Sequence, residues 1–351
     1  MKAWRRNVKG IVDSRRAHYL ARIGIFLVTA ALIAGMTGCA YNPPPSQNLE
    51  IRTWYDLDAV RNNLAGNHKL MNNLDASTPG YEELAGHTAN GGKGWEPIGF
   101  TTPGRFPTGF WGTFDGQGHE IRGLFIDRPD EICVGLFGVT GKLIRDVLVV
   151  DATVTGNWGV GGLVGWNEHG SVYNCYCSGE ITGDERVGGL VGNNCGPVNN
   201  SYFVGNVSGN SMVGGLAGFH YGGNAGHCHS TGSVTGREQV GGLVGLNQGI
   251  VVNSYSTSSV TGNEYVGGLV GRAFLDYESG IVSNSLWDTE TSGQVTSDGG
   301  TGETTAQMKN IATFTGAGWN IIAVADINMR ETAYVWNIVD GETYPFLSWQ
   351  P

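Results

Sequence analysis

The chain has 351 residues, 58 of them glycine, and a formal net charge of −10 at pH 7. With 31 acidic against 21 basic residues, its surface is poorly suited to a polyanion, so no nucleic-acid partner is expected. The acidic residues are spread along the chain without runs of like charge.

The N-terminus carries Lys2, Arg5, Arg6, Lys9, Arg15, Arg16 and Arg22, opposed only by Asp13. An apolar run from Ile23 to Ala34 follows, too short to span a bilayer, and closes on Met36-Thr37-Gly38-Cys39. A basic region, a short apolar core and small residues before a cleavage point read as a signal peptide over 1–38. Thr37-Gly38-Cys39 resembles the lipobox of bacterial lipoproteins, with Met36 where that motif prefers Leu. The resemblance implies that Cys39 becomes the lipidated first residue of the mature chain. The expected location is therefore the cell envelope, with a lipid in the membrane and the chain facing outward or into the periplasm. Residues 39–49, with Pro43-Pro44-Pro45-Ser46, read as a stiff tether. Loss of 1–38 removes seven basic residues and one acidic residue, leaving a mature charge of −16.

Residues 50–104 read as an N-terminal cap. A helix-like stretch from Leu57 to Leu64, with Asp56 and Asp58 near its start, precedes Leu70, Asn73 and Leu74. A rod with an open apolar end needs such a lid.

The hexapeptide V-G-G-L-[VA]-G then recurs, opening at Val160, Val187, Val213, Val240 and Val266 in steps of 27, 26, 27 and 26 residues. A shortened copy, Val134-Gly135-Leu136-Phe137-Gly138, lies one further step upstream. So regular a period marks a solenoid whose units bury their apolar faces by stacking. Between hexapeptides runs a second block, as in Asn174-Cys175-Tyr176-Cys177 and Asn200-Ser201-Tyr202-Phe203. Its Val, Ile, Thr and Tyr, punctuated by Gly, Asn and Ser, predict two or three short strands per unit. The fold expected over 105–293 is all-β, a right-handed parallel β-helix with N- and C-terminal caps. Six to seven coils at roughly 4.8 Å spacing make a rod on the order of 30 Å tall.

Alternation along the strands places Leu163, Leu190, Leu216, Leu243 and Leu269 in one inward ladder and Ile181, Val207, Val234 and Val260 in another. Without a bulge, Cys175, Ser201, Cys228 and Ser254 also face inward. The hexapeptide glycines are expected to supply positive φ at corners and close backbone approach. Five cysteines follow Cys39, an odd number that excludes complete intrachain pairing, and they read as buried thiols.

Residues 294–351 read as a C-terminal cap. Thr304-Thr305 before Ala306 to Asn310 predicts a short capped helix, and Trp319, Trp336, Tyr344, Phe346 and Trp349 are aromatic enough to plug the last coil.

The hexapeptides look like the GLUG motif of bacterial and archaeal cell-surface proteins, found in adhesin-like chains and in regions of some IgA-specific metallopeptidases. Thr113-Phe114-Asp115-Gly116-Gln117-Gly118-His119 is similar to the segment opening such arrays, and Trp287-Asp288-Thr289-Glu290 and Tyr344-Pro345-Phe346-Leu347 resemble their closure. The resemblance implies a secreted right-handed β-helix for adhesion or surface display, with no defined catalytic residue. The metallopeptidase signature H-E-x-x-H is incomplete, since His119-Glu120 is followed by Gly123 where the second His belongs.

Other constellations are weighed by chemistry. Glycosidic cleavage needs two carboxylates in fixed relation. Glu185, Glu238 and Glu264 share a column, but its neighbour holds Asp184, Asn210, Arg237 and Asn263, the mixed signs of a solvated corner. Asn167, Asn194 and Asn247 form one asparagine column and Asn174, Asn200, Asn253 and Asn284 another, both suited to coil-to-coil amide ladders. His220 and His227 interrupt these columns, and with His229 they form a candidate transition-metal set, with Gly222-Gly223 able to bring them together. As polar replacements for Asn they need no metal, and no cofactor is expected. Trp158, Trp166, Tyr176, Tyr202 and Tyr255 read as exposed aromatics, and the Tyr176–Tyr202–Tyr255 column as a ligand face for a glycan or protein on a surface. A non-catalytic binding or adhesion module is the reading taken, against a polysaccharide lyase or glycosidase as the rival.

The anchor is checked by detergent-phase partition and mass spectrometry of the mature protein. A lipid-modified product starting at Cys39 is expected, and a soluble product starting elsewhere would exclude it.

Overall fold

The computed structural model describes residues 48–99, 108–274 and 280–350. Cys39, the signal sequence and most of the tether lie outside them.

Each coil contains four strands rather than two or three. In the coil opening at Trp158 these are Trp158–Gly161, Val164–Asn167, Ser171–Tyr173 and Tyr176–Thr182. Their equivalents stack into four parallel sheets, here numbered first to fourth in that order, of six, six, nine and ten strands. The extra strands are short because corners fall every few residues, and glycine on both sides of Leu163 hides the break in the sequence pattern.

The hexapeptides are stacked neighbours. Val160, Val187, Val213, Val240 and Val266 pair in direct register. The alternating step is absorbed at one corner, between the second and third sheets. From Asn167 the chain reaches Val172 and from His220 it reaches Ala225, whereas Asn194 leads to Val198 and Asn247 to Val251, one residue sooner. The corner between the fourth and first sheets keeps a constant length in these coils, as from Thr182 to Glu185 and Thr235 to Glu238.

Inside the rod the expected leucine ladder and the Ile181–Val207–Val234–Val260 ladder are buried. The small column also points inward and does more than fill space. Ser201 Oγ accepts from the Cys175 amide at 3.0 Å, Ser254 Oγ from Cys228 at 3.0 Å, and Ser285 Oγ from Ser254 at 3.2 Å. Each hydroxyl satisfies an amide that a corner would otherwise leave unpaired. Cys133, Cys175, Cys177 and Cys228 are buried without disulfides, Cys195 is only partly buried, and burial raises the pKa of Cys175 and Cys228 to about 12.

The hexapeptide glycines act through close approach, not through positive φ. A Cβ on Gly189, Gly215 or Gly242 would lie 2.2 Å from the carbonyl oxygen of the matching glycine one coil on. The left-handed corners are held mainly by non-glycine residues: Arg186, Met212, Gln239 and Tyr265, with Gly159, in one column, and Asn174, Asn200, His227, Asn253 and Asn284 in another. That second asparagine column therefore reflects tolerance of left-handed backbone more than amide stacking.

The N-terminal helix begins earlier than its apolar spacing suggests, at Trp54, because Thr53 and Asp56 form a capping box. It runs to Ala59 and continues as a 3₁₀ turn over Val60–Asn62. Glu50–Ile51 and Asn67–Leu70 extend the third sheet, while Trp54, Leu57, Trp95 and Ile98 join the core of the rod. At the far end, residues 296–298 close the exposed edge: Ser297 Oγ accepts from Val270 at 2.9 Å and Asp298 from Ala273 at 2.7 Å. The helix Thr305–Met308 is capped by Thr304 as expected. The aromatic tail, however, does not plug the last coil. Trp319, Trp336 and Leu347 lie along the outside of the fourth sheet, in a cluster with Tyr202, Tyr255 and Leu286.

Gly215→Ala is expected to destabilise the protein by about 2–3 kcal/mol in urea unfolding, since backbone must move to admit the methyl. Gly316→Ala, in open space at a helix end, should be neutral or slightly stabilising. Equal effects would contradict the stacked-glycine account.

Candidate functional site

The residues singled out by sequence are separated by the fold. Asn167, Asn194 and His220 form a buried ladder: Asn167 Nδ2 donates to Asn194 Oδ1 at 2.7 Å, and Asn194 Nδ2 lies 2.9 Å from His220 Nδ1. His220 Nε2 is 3.3 Å from the Ile250 carbonyl, so both ring nitrogens are engaged, and burial lowers its pKa to about 4. His229 points outward from the fourth sheet between Tyr202 and Tyr255, with centroids 4.6 and 5.0 Å away. His227 Nδ1 accepts from the Trp336 indole at 3.2 Å. His220 thus belongs to the interior ladder, while His227 and His229 lie outside the rod against Trp336, 6.4 and 5.9 Å from its ring, and the Gly222-Gly223 loop does not bring the three together.

The proposed tyrosine face is also altered. Tyr202 and Tyr255 are buried at 3% and 2% exposure beneath the C-terminal segment, and burial raises both phenolic pKa values. Tyr255 OH donates to the Pro345 carbonyl at 2.5 Å. Tyr176 is only partly buried, at the margin of the same cluster, stacked on Tyr202 with ring centroids 4.4 Å apart. On the opposite flank, Trp158 and Trp166 meet edge to face at 6.2 Å. Arg186 lies between Trp158 and Phe219, 4.5 and 4.8 Å from their rings, linking coils in a way the sequence reading missed. The Glu185–Glu238–Glu264 column remains a corner, with Glu185 and Glu238 paired to Arg186 and Arg237.

A groove of about 460 Å³ opens where the third sheet turns into the fourth, near the N-terminal end of the rod. The third sheet places Asp115 directly beside Arg145, whose Nη2 donates to Asp115 Oδ2 at 2.7 Å. Asp115 Oδ1 also accepts from the Gln117 amide at 3.1 Å. One residue past Arg145, Asp146 adopts φ 54° at the corner and accepts from Asn174 Nδ2 at 3.0 Å. Arg145 Nε lies 3.8 Å from Asp146, so one guanidinium serves both carboxylates. Leu148 lines the wall from the fourth sheet, and Trp349 completes it from the far end of the chain. The Trp349 ring is 5.7 Å from Tyr202, and its buried indole nitrogen has no hydrogen-bond partner among the described residues.

This constellation joins acceptors, a planar cationic donor and an aromatic ring on one open face. Such a set suits a polyhydroxylated ligand: carboxylates accept from hydroxyls, Arg145 donates, and a ring face covers apolar C–H groups. Both carboxylates accept from cationic or amide donors, Asp115 from Arg145 and Gln117 and Asp146 from Asn174, with Arg145 beside it. In sequence Asp115 stands between Phe114 and Gly116 as an ordinary turn residue would, and neither Arg145 nor Asp146 carries a periodic signal. The thirty-residue step from Asp115 to Arg145 in the third sheet is the clue that register alone provides.

Equimolar zinc is expected to leave the melting temperature unchanged. A rise that disappears in His227→Asn would show that the histidines do meet around a metal.

Two segments of the chain, 156–182 and 236–261, match the GLUG motif. Halomucin of Haloquadratum walsbyi is 35% identical over 148 residues, which cover 41% of this chain and 2% of halomucin. A protein of Evansella cellulosilytica, provisionally named a Gly-rich membrane protein, is 31% identical over 202 residues, covering 47% of this chain and 21% of that protein. This chain therefore spans only a small part of the length of these relatives. The crystal structure of a Bacteroides ovatus protein, provisionally named an immunoglobulin A1 protease, aligns with a TM-score of 0.59 at 18% identity, over 88% of this chain and 94% of that one. At that identity the likeness concerns the fold alone. The chain is a parallel β-helix in which two segments, 156–182 and 236–261, match the GLUG motif.

Proposed function

We propose that this protein is a non-catalytic β-helix displayed at the cell surface, held there through Cys39, and that it binds an extracellular glycan in the groove between the third and fourth sheets. The observation carrying this reading is the convergence of Asp115, Arg145, Asp146 and Trp349 on one open face. The names of the relatives, a halomucin and a membrane protein, support a surface setting. The rod supplies rigidity, and the groove supplies the chemistry of recognition.

Cleavage is the competing reading, favoured by two aspartates beside an arginine in a groove. The two readings separate in a glycan array run beside a polysaccharide-cleavage screen on the full chain. Binding without turnover is expected, weakened about tenfold, or ~1.4 kcal/mol, by Arg145→Ala and by Trp349→Ala. Turnover of any polymer that is lost in Asp115→Asn would overturn the non-catalytic reading.

A further inference from the structure

The outward column of the fourth sheet meets the C-terminal segment rather than solvent. Tyr176, Tyr202, His229 and Tyr255 stack with centroids 4.4, 4.6 and 5.0 Å apart. Over them lie Trp349, 5.7 Å from Tyr202, and Trp336, 5.9 Å from His229. Two imidazoles sit in this seal. The Trp336 indole is a donor only, so its bond to His227 Nδ1 requires that nitrogen to be unprotonated. His229 Nε2 is 3.4 Å from Gln350 Oε1, and its Nδ1 is buried with no hydrogen-bond partner among the described residues. A second proton on either ring would therefore face a donor or a site with no acceptor.

Among the described residues no carboxylate is hydrogen-bonded or ion-paired to either ring. His229 faces Tyr202 and Tyr255 from its own sheet, and Gln350, Tyr344 and Arg330 belong to the covering segment. Arg330 Nε donates to the Gln350 carbonyl at 2.8 Å. Asp288 is taken by the hydroxyls of Tyr344 and Thr305, at 2.7 Å each. In the column of His227, Asn200 and Asn253 are uncharged.

We infer that residues 305–350 form an acid-released cover on the fourth sheet, with His227 and His229 as its trigger. Trp349 belongs both to this cover and to the wall of the groove, so opening dismantles the groove. That consequence for binding rests on the glycan reading, whereas the opening itself does not. Burial lowers the pKa of both imidazoles, to about 4 for His229. A group depressed in the closed state favours closure fully above its open-state value near 6.5. Below that pH the advantage falls, by up to about tenfold per histidine per pH unit, until the closed-state value is reached.

Hydrogen–deuterium exchange of the full chain at pH 7.0 and pH 5.0, corrected for intrinsic rates, tests the cover. Amides in 311–350 should exchange at least tenfold faster at pH 5.0, while strands 160–167 and 187–194 keep their protection. The double variant His227→Asn/His229→Tyr, which installs residues those columns already hold in neighbouring coils, should erase the acceleration. His227→Asn alone should reduce it, and it replaces the double variant if that one loses its cover at pH 7.0. No acceleration in the parent, an equal acceleration in the variants, or loss of protection in the rod strands together with 311–350 would each overturn the inference.

Discussion

Backbone approaching backbone at the hexapeptide corner is the constraint on which the other features rest. Each hexapeptide has three glycines, and each is pressed by a different neighbour. A Cβ on Gly188 would meet Val191 O at 2.1 Å, one on Gly189 the Gly215 carbonyl at 2.2 Å, and one on Gly192 the Val160 amide at 2.3 Å. The first contact tightens the corner, the second touches the next coil and the third the previous one. Leu190 is thereby fixed in the interior, where burying such a side chain contributes about 1.5–3 kcal/mol. The sequence repeats because the same contacts must be remade on every coil.

Much of the rod was legible because that constraint is periodic. The hexapeptide stack, the inward leucines and the small Ser/Cys column follow from spacing and alternation, and the structure contains them all. The number of strands per coil did not follow, since glycines on each side of Leu163 mask a break that only backbone geometry reveals. Left-handed corners were looked for at glycine and occur at Arg186, Met212 and Tyr265, because there the ladder on both sides imposes the conformation despite its steric cost. Where Gly232 is followed one coil on by Ser258, the fourth-sheet strand divides into Tyr255–Ser256 and Ser259–Thr261. The glycines at that position have φ of 130–149°, a region side chains rarely adopt.

The groove and the cover were illegible for a different reason. Their residues come from parts of the chain that do not repeat. Asp115 belongs to the first full coil, Arg145 to the next, and Trp349 to the last residues of the C-terminal segment. No window of sequence holds them together, and aromatic residues in a tail say only that something apolar will be covered. The tail was assigned to the end of the rod because open ends need caps. Residues 296–298 had already closed that end with Ser297 and Asp298, which left the aromatic residues free to seal a flank. The groove and the cover thus lie where the repeat is interrupted or overlaid, while the repeats themselves supply a rigid frame.

The central claim is that stacking fixes every corner except one. A single glycine inserted between Gln248 and Gly249 lengthens the corner that already varies between coils, and one inserted between Gly236 and Arg237 lengthens a corner that does not. Thermal unfolding of the two variants is the direct measurement. The first should melt within about 5 °C of the parent and the second more than about 10 °C below it. Equal losses, or a larger loss for the first, would contradict the claim.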